Sequence, residues 1–458
     1  MNPLFSPAIY QERRNYLNTA FSDGFALFLS NSESPANYPS NTYHFRQDSN
    51  FLYFFGLSLP GIVGVIDFYQ QKSILFGDDF TIDDIIWMGD QPKLKDLSAQ
   101  VAVDEVRPLA ELPTFLKNKP VYFTPPYRAD NKIEIARILG KTIEELTPSE
   151  ELIKKIVSLR EIKKPEEIIQ MEDANEIGVK MHTTVMKYCK AGISEQALFG
   201  MAEGITLGLG NGTSFPIILS QNGQTLHNHD HSQILKKGRL LLMDAGAENV
   251  MNYCSDHTRT MPVSGKFSTQ QKEIYETVYQ ANMAAINNCK PEILNIENHK
   301  IAVKVITEGL QKIGLMKGNV EESVALGAHA LFMPHGLGHQ VGLDVHDMED
   351  LGENFVGYDE TIRRSKIFGW GSLRMAKMLR PGHIITVEPG IYFIPHLIDI
   401  WKNEKKFENF INYDKLESYR NFGGIRIEDS VLITETGSRV LGPHLPKSVK
   451  EIENILQS

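Results

Sequence analysis

The sequence has few cysteines and no long apolar run, and each absence excludes a class of protein. Cys189, Cys254 and Cys289 are odd in number and show no CxxC spacing, which excludes a disulfide framework and a thiolate zinc knuckle. No apolar run reaches the roughly 18 residues of a membrane span. The N-terminus carries charged residues where a secretory signal needs an apolar core. We therefore expect a cytoplasmic protein with no membrane partner.

Basic residues are also fewer than acidic residues. The 458-residue chain has 47 Lys and Arg against 57 Asp and Glu, a net charge of −10, which argues against a nucleic-acid or anionic-membrane partner. Apolar residues at 42% and charged residues at 23% are typical of globular proteins. A chain of this length exceeds what one hydrophobic core usually supports, so we expect two domains.

The order of predicted elements places a domain boundary near residue 160. Before it, strands such as residues 52–57 alternate with helices, which indicates a small α/β domain. Pro165 followed by two glutamates is typical of a new helix start. Two rounds of helices followed by strands come next and predict an α+β domain. The expected domains are therefore residues 1–160 and 161–458.

A glycine-rich stretch, HGLGHQVGLDVHD at residues 335–347, concentrates chemical groups. It contains His335, His339 and His346. Glycine is a poor helix former, so we expect a loop in which imidazoles and a ligand approach the backbone closely. The stretch is a candidate metal or catalytic site, and a structural turn with polar packing is the alternative.

Four acids lie in predicted apolar strands. They are Asp244 in RLLLMDAG, Asp256 in NYCSDHTRT, Glu388 in IITVEPGIY and Glu428 in GGIRIEDS. The strands are predicted at residues 239–246, 251–263, 383–394 and 424–434. Asp244 and Asp256 would lie on neighbouring antiparallel strands, and alternation would place Arg426 and Glu428 on one strand face. For any single acid, a strand-end salt bridge is the simpler interpretation.

Together with His339, the four acids favour a metal site, because close carboxylates repel unless they are protonated or bridged by a cation. Their charges balance two divalent cations. Oxygen ligands favour manganese, with cobalt, iron and zinc as alternatives. Two adjacent metals can share a water, lower its pKa and direct it at a carbonyl. The sequence therefore predicts metal-assisted hydrolysis.

The motifs DAG, SDHTRT, HGLGH, DVHD, TVEPGIY and RIED, in this order, resemble those of the metallopeptidase family with the pita-bread fold. That family contains methionine aminopeptidases, aminopeptidase P and prolidase, and the resemblance covers residues 160–450. Residues 43–57, YHFRQDSNFLYFFGL, resemble the N-terminal domain of aminopeptidase P and prolidase. The resemblance implies an α+β pita-bread domain after a smaller α/β domain, a homodimer, and small peptide substrates with proline second.

The resemblance also implies a metal-ligand set, carried over position by position. Asp244 would be a bidentate ligand of one metal, Asp256 and Glu428 would bridge both, and His339 and Glu388 would complete the second.

Further residues are implied to act on the substrate. Glu388 would shuttle the proton of the attacking water. His335 and His346 would polarise the substrate carbonyl or steady the tetrahedral intermediate. His227 would contact the substrate, and Arg426 would orient the bridging acids.

Arg374 distinguishes prolidase from aminopeptidase P. Its segment, residues 371–382, resembles prolidase, in which the matching arginine grips the free carboxylate of a dipeptide. The implied activity is hydrolysis of Xaa-Pro dipeptides. Phe215 departs from the pattern, because prolidase has a tyrosine there.

Several alternatives stay open. Aminopeptidase P activity on longer Xaa-Pro peptides is one, and Arg374 as a surface arginine on a short helix is another. A non-catalytic binding protein on the same fold and a creatinase-like hydrolase without metal are the others. The complete set of acids and histidine disfavours both of these last two.

Overall fold

The structure is a computed structural model that describes residues 3–457, and the chain forms two compact units. The first unit ends at Arg160 and also includes Asp350–Gly352. The second unit consists of Glu161–Glu349 and Glu353–Ser458.

The first unit combines helices with a mixed five-stranded sheet. Its helices are α1 (Pro7–Ala20), α2 (Ser49–Phe55), α3 (Ile82–Met88), α4 (Leu94–Gln100), α5 (Leu112–Leu116), α6 (Ala129–Leu139) and α7 (Glu150–Arg160). Its strands are β1 (Phe25–Leu29), β2 (Pro35–Tyr38), β3 (Asn41–Thr42), β4 (Val63–Asp67), β5 (Lys72–Phe76), β6 (Glu105–Arg107) and β7 (Val121–Tyr122). The sheet order is β6-β5-β4-β1-β7, with parallel pairs at both edges and antiparallel pairs between them.

The strand predicted at residues 52–57 is wrong, because helix α2 occupies this segment. The Asp48 side chain caps the helix by accepting a hydrogen bond of 2.8 Å from the N–H of Phe51. Gly56 ends it in the left-handed conformation, with φ 69°. All seven residues of α2 are buried, so no amphipathic periodicity separates a helix from a strand in the sequence.

The second unit contains the longer helices and several small sheets. Its helices are α8 (Pro165–Tyr188), α9 (Glu195–Leu209), α10 (Thr269–Asn288), α11 (Asn295–Lys312), α12 (Val320–Leu326), α13 (Glu353–Val356), α14 (Pro395–Asn403), α15 (Tyr413–Leu416) and α16 (Val449–Ile455). Its strands are β8 (Gly212–Thr213), β9 (Ile218–Ser220), β10 (Leu240–Ala245), β11 (Ala247–Glu248), β12 (His257–Pro262), β13 (Ile384–Val387), β14 (Gly390–Tyr392), β15 (Gly424–Arg426), β16 (Asp429–Ile433) and β17 (Ser438–Val440).

Two three-stranded antiparallel sheets, β12-β10-β9 and β13-β16-β17, organise this unit. Strand β14 pairs with β15, and β8 pairs with β11. Fully buried side chains such as Met243, Ile274, Ile306 and Ile385 join the sheets and long helices in one hydrophobic core. Within residues 3–457, no helix is both long and apolar enough to cross a membrane.

Three of the predicted strands are shorter than expected, and each is interrupted at, or begins after, an acid. Asp256 directly precedes β12, Glu388 lies between β13 and β14, and Glu428 lies between β15 and β16. Arg426 ends β15 and Glu428 lies in the link to β16, so the two do not belong to one strand. The alternation predicted for them holds nonetheless, because both side chains line the same cavity while Ile425 and Ile427 lie in the core. At Glu388 and Glu428 the chain passes from one strand pair to the other.

Candidate active site and metal centre

All ten predicted site residues line one cavity in the second unit. They are Asp244, Asp256, His339, Glu388, Glu428, His227, His335, His346, Arg374 and Arg426. The cavity volume is about 320 Å³, which is in the range of small-molecule sites. Phe215, Ile218 and Leu226 contribute apolar wall to it.

The glycine-rich stretch 335–347 forms a loop, as predicted, and contains no helix. A Cβ atom at Gly338 would lie 2.0 Å from the carbonyl oxygen of Thr386. The backbone N–H of Thr386 donates to the carbonyl of His339 at 2.9 Å, and the N–H of His339 lies 3.1 Å from Thr386 Oγ1. Glycine thus lets the loop approach strand β13 closely and fixes the backbone of His339.

Three predicted ligands form a compact group. Asp256, His339 and Glu428 each offer one ligand atom, and these atoms all lie within 4.8 Å of one another. His339 Nε2 lies 3.4 Å from Asp256 Oδ2 and 3.8 Å from Glu388 Oε1. The carboxylates and the imidazole therefore surround a common point.

The ring of His339 presents a lone pair to this point. Its Nδ1 lies 3.1 Å from the carbonyl oxygen of Gln340, and donation of Nδ1–H leaves Nε2 unprotonated. Burial lowers the pKa of His339 to about 4, so the ring is neutral at pH 7. A lone pair that faces a carboxylate in this way needs a cation between the two groups.

Three of the four acids have pKa values above the ordinary range of a carboxyl group. Burial, and then the charge of Asp244, raise the pKa of Asp256. Burial, and then the charge of Asp256, raise the pKa of Glu428. Burial raises the pKa of Glu388 to about 8, although the charge of Arg426 opposes it.

Two ligand atoms are also left without a hydrogen bond. Asp244 Oδ1 and Asp256 Oδ1 are buried and accept no hydrogen bond from the described part of the chain, residues 3–457. A divalent cation would supply the missing partner for both oxygens. The donor set therefore fits a hard divalent metal.

Arg426 connects this group to the cavity wall. Its Nη2 donates to Asp244 Oδ2 at 2.5 Å, its Nη1 to Tyr392 Oη at 2.7 Å and its Nε to Thr258 Oγ1 at 3.1 Å. The Thr258 hydroxyl in turn donates to Glu428 Oε2 at 2.6 Å. One buried guanidinium therefore orients Asp244 directly and Glu428 through a hydroxyl.

His335 uses both ring nitrogens within the protein. Nδ1 lies 2.7 Å from the carbonyl oxygen of Gly336, and Nε2 lies 2.8 Å from Tyr392 Oη. Because Tyr392 Oη already accepts from Arg426, its own O–H donates to Nε2. Burial lowers the pKa of His335 to about 3. In this structure the ring is neutral and has no free N–H for a substrate carbonyl.

His346 and Arg374 share a carboxylate. His346 Nδ1 forms a hydrogen bond with Glu349 Oε2, and this bond is the main cause that lowers the pKa of Glu349 to about 2. Arg374 Nε lies 3.4 Å from the same Oε2 and 3.1 Å from Glu353 Oε1. The ring centroids of His339 and His346 are 4.1 Å apart. The two predicted substrate residues thus belong to one polar network.

Three further residues, Thr258, Tyr392 and Glu349, shape the site but are not predicted from the sequence. Thr258 and Tyr392 lie two and four residues after predicted acids, Asp256 and Glu388. In a strand, residues two or four positions apart lie on the same face, so this spacing could have indicated both residues. Glu349 begins a short 3₁₀ turn, and no periodic pattern indicates its contacts.

Family comparisons match most of the chain. The profile of metallopeptidase family M24 matches residues 169–435, and that of the aminopeptidase P N-terminal domain matches residues 10–120. The chain belongs to metallopeptidase family M24. This membership implies divalent-metal binding, and it confirms the predicted metallopeptidase class and pita-bread fold.

Relatives of this M24 chain carry two activity names. Human Xaa-Pro dipeptidase is 32% identical over 451 residues, which cover 95% of this chain and 89% of the relative. A probable Xaa-Pro aminopeptidase of Fusarium vanettenii is 32% identical over 425 residues, 90% of this chain and 88% of the relative. The structure of Escherichia coli aminopeptidase P with the inhibitor Pro-Leu matches with a TM-score of 0.81 at 29% identity and covers 99% of both chains.

Proposed function

We propose that the chain is a two-metal exopeptidase that hydrolyses the bond between an N-terminal residue and proline, with Xaa-Pro dipeptides favoured. The observation that carries the proposal is the convergence of four carboxylates, one neutral imidazole and Arg374 on one cavity. Similarity over nearly the whole chain to proteins named Xaa-Pro dipeptidase and Xaa-Pro aminopeptidase supports the proline specificity.

The proposed metal ligands are the five predicted ones. Asp244 would hold one cation, His339 and Glu388 the other, and Asp256 and Glu428 both. When bound, such cations lower the pKa of a shared water and polarise the substrate carbonyl. Manganese is the proposed metal because oxygen donors dominate, with cobalt, iron and zinc as alternatives.

Glu388 is the proposed proton carrier. Its side chain is 19% exposed and lines the cavity, so a substrate and its attacking water can reach it. The carboxylate takes the proton of the water and returns it to the proline nitrogen, which must gain a proton as it departs. Since burial raises the pKa of Glu388, the group holds a proton more readily than an exposed glutamate does.

Three histidines of the cavity wall have different proposed roles. His346 Nδ1 is hydrogen-bonded to the Glu349 carboxylate, so the neutral ring presents an unprotonated Nε2 to the cavity. The proposed form that meets the substrate carbonyl or the tetrahedral intermediate is therefore the protonated ring, which Glu349 stabilises and in which Nε2–H is the donor. His335 acts through Tyr392, to which it is hydrogen-bonded. His227 is exposed and lines the cavity, where it would contact the substrate backbone.

Proline recognition has a physical basis in the cavity wall. The Xaa-Pro bond is a tertiary amide without an N–H, so a peptidase that recognises that hydrogen loses a contact. Phe215, Ile218 and Leu226 line the cavity and offer apolar surface for a pyrrolidine ring. The loss of a tyrosine hydroxyl at Phe215 makes this wall more apolar.

The test is hydrolysis of Ala-Pro and Ala-Pro-Ala by metal-stripped enzyme to which manganese is added. We expect both to be cleaved after alanine, with the larger kcat/KM for Ala-Pro. Preference for Ala-Pro-Ala would instead favour aminopeptidase P activity, which the match to aminopeptidase P structures supports. Cleavage of neither peptide at full metal occupancy would refute the proposal. The cytoplasmic location and the homodimer stay predictions.

A further inference from the structure

Arg374 is one member of a row of alternating charges. Its Nε lies 3.1 Å from Glu353 Oε1 and 3.4 Å from Glu349 Oε2. The other oxygen of Glu353, Oε2, accepts a hydrogen bond from Arg364 Nη2, while Glu349 is bonded to His346. The order of residues along the row is therefore Arg364, Glu353, Arg374, Glu349 and His346.

Arg364 is fixed at the outer end of this row. Its guanidinium carbon lies 5.0 Å from the centre of the Tyr358 ring, and its Nη1 donates to the carbonyl oxygen of Gly371 at 3.1 Å. The buried Tyr358 hydroxyl donates to the carbonyl of Leu373 at 2.6 Å. Arg364 is thus tied to the backbone just before Arg374, and it can hold Glu353 in one place.

Glu353 contacts only one edge of the Arg374 guanidinium. The Nε atom is buried, and neither glutamate meets it with hydrogen-bond geometry, so both contacts are ion pairs. The side chain as a whole is 36% exposed and lines the cavity. No group within residues 3–457 accepts a hydrogen bond from the two Nη atoms. An arginine held in this way keeps its terminal fork for a ligand carboxylate.

We propose that Glu353, held by Arg364, is a positioning residue that sets the Arg374 fork for the C-terminal carboxylate of an Xaa-Pro dipeptide. The inference rests on the proposed function and deepens it. A free arginine has many rotamers, and ordering them on binding weakens affinity. A guanidinium that Glu353 has already aligned loses less rotamer entropy when the dipeptide binds. The contact between Glu353 and Arg374 therefore affects dipeptide affinity more than bond cleavage.

The same contacts permit an opposite effect, in which Glu353 competes with the substrate for Arg374. Geometry favours positioning, because Glu353 also shares its charge with Arg364 and touches Arg374 only at Nε. The two effects have opposite signs in KM. Removal of a positioning residue raises KM for a dipeptide, whereas removal of a competitor lowers it.

The test compares the manganese-loaded wild type with Glu353→Gln, Arg364→Gln and the double variant on Ala-Pro and Ala-Pro-Ala. For each single variant we expect KM on Ala-Pro to rise roughly tenfold, with little change in kcat or on Ala-Pro-Ala. The double variant should rise no further than the larger single one, because both substitutions break the same pair. Glu360→Gln, at an exposed glutamate of the same segment, is the matched control and should behave as the wild type.

Metal content and thermal melting of each variant are measured alongside the kinetics, and both should equal those of the wild type. Unchanged or lower KM of Glu353→Gln on Ala-Pro would overturn the inference while the proposed function stood. Equal losses on both peptides would also overturn it, because they indicate general damage. A wild type that cleaves neither peptide would overturn the inference and the proposed function together.

Discussion

Arg426 and Asp244 form a buried ion pair in which Nη2 lies 2.5 Å from Oδ2, with side chains only 4% and 12% exposed. The same guanidinium reaches Glu428 through Thr258. A protein cation is therefore built into the acidic group and holds two of its carboxylates in orientation. It leaves Asp244 Oδ1 buried without a hydrogen bond from residues 3–457, and a bound cation would supply a partner for that oxygen.

Arg426→Met should therefore weaken metal binding. The variant leaves Asp244 buried without its cation and removes the donor that holds Thr258. We expect manganese affinity and activity on Ala-Pro to fall about 10–100-fold, the usual effect of losing a group that orients metal ligands. Titration calorimetry with manganese measures the affinity. Arg363→Met, at an exposed arginine, is the control. Wild-type affinity in Arg426→Met would show that the guanidinium does not orient the ligands.

Asp256→Asn tests the bridging carboxylate. The amide carries no charge, and one of its two atoms would present N–H donors to the point that Asp256, His339 and Glu428 surround. We expect loss of Ala-Pro hydrolysis and loss of about half of the bound manganese, measured by atomic absorption. Asp414→Asn, at an exposed acid of helix α15, should retain both. Turnover by Asp256→Asn at full metal occupancy would refute the bridging assignment.

The metal-free protein should lose stability as the pH rises from about 6.5 to 8.5. Burial raises the pKa of Glu388 to about 8 from its ordinary 4.5. Between these values the folded state binds more protons than the unfolded state, so the free energy of unfolding falls with pH. Asp256 and Glu428 act in the same direction, because burial also raises the pKa of each.

Two histidines set the lower limit of the pH range in which this fall can be measured. Burial lowers the pKa of His339, and that of His335, below the ordinary 6.5, so they raise stability with pH only up to about 6.5. Thermal melting in a chelator should show a falling midpoint above that pH in the wild type and a smaller fall in Glu388→Gln. The manganese-loaded wild type should show little change. Equal slopes for wild type and variant would exclude Glu388 as a source.

Much of the site could be predicted because its residues lie in short motifs with a fixed order. Asp244 and Asp256 follow from two predicted apolar strands, and the corresponding strands β10 and β12 do pair antiparallel, although Asp256 lies just before β12 and Asp244 is opposite Thr258. His339 follows from glycines that allow close approach of the backbone. Each motif reflects the local backbone geometry of its own segment, and local geometry can be predicted from sequence.

The remaining features depend on contacts that are distant in sequence or lack a pattern. Helix α2 is buried on every side, so its seven residues carry no periodicity. The strand breaks at Glu388 and Glu428 arise where the chain changes its strand partner, which a single run of apolar residues does not reveal. Glu349 and Glu353 begin very short helical turns that carry no periodic signal, so their contacts are visible only in the folded structure.

Arg374→Ala should separate dipeptide from longer-peptide activity. A dipeptide ends in a carboxylate at the position where a longer peptide has a neutral amide, and Arg374 can pair only with the former. We expect kcat/KM on Ala-Pro to fall about 10–100-fold, as for loss of a hydrogen bond to a charged group, and little change on Ala-Pro-Ala. Steady-state kinetics on both peptides at saturating manganese measure the ratio, with Arg363→Ala as the control. Equal losses on both substrates would remove the basis for preferring dipeptides, since a carboxylate-specific arginine cannot reduce turnover of a peptide that does not place its carboxylate there.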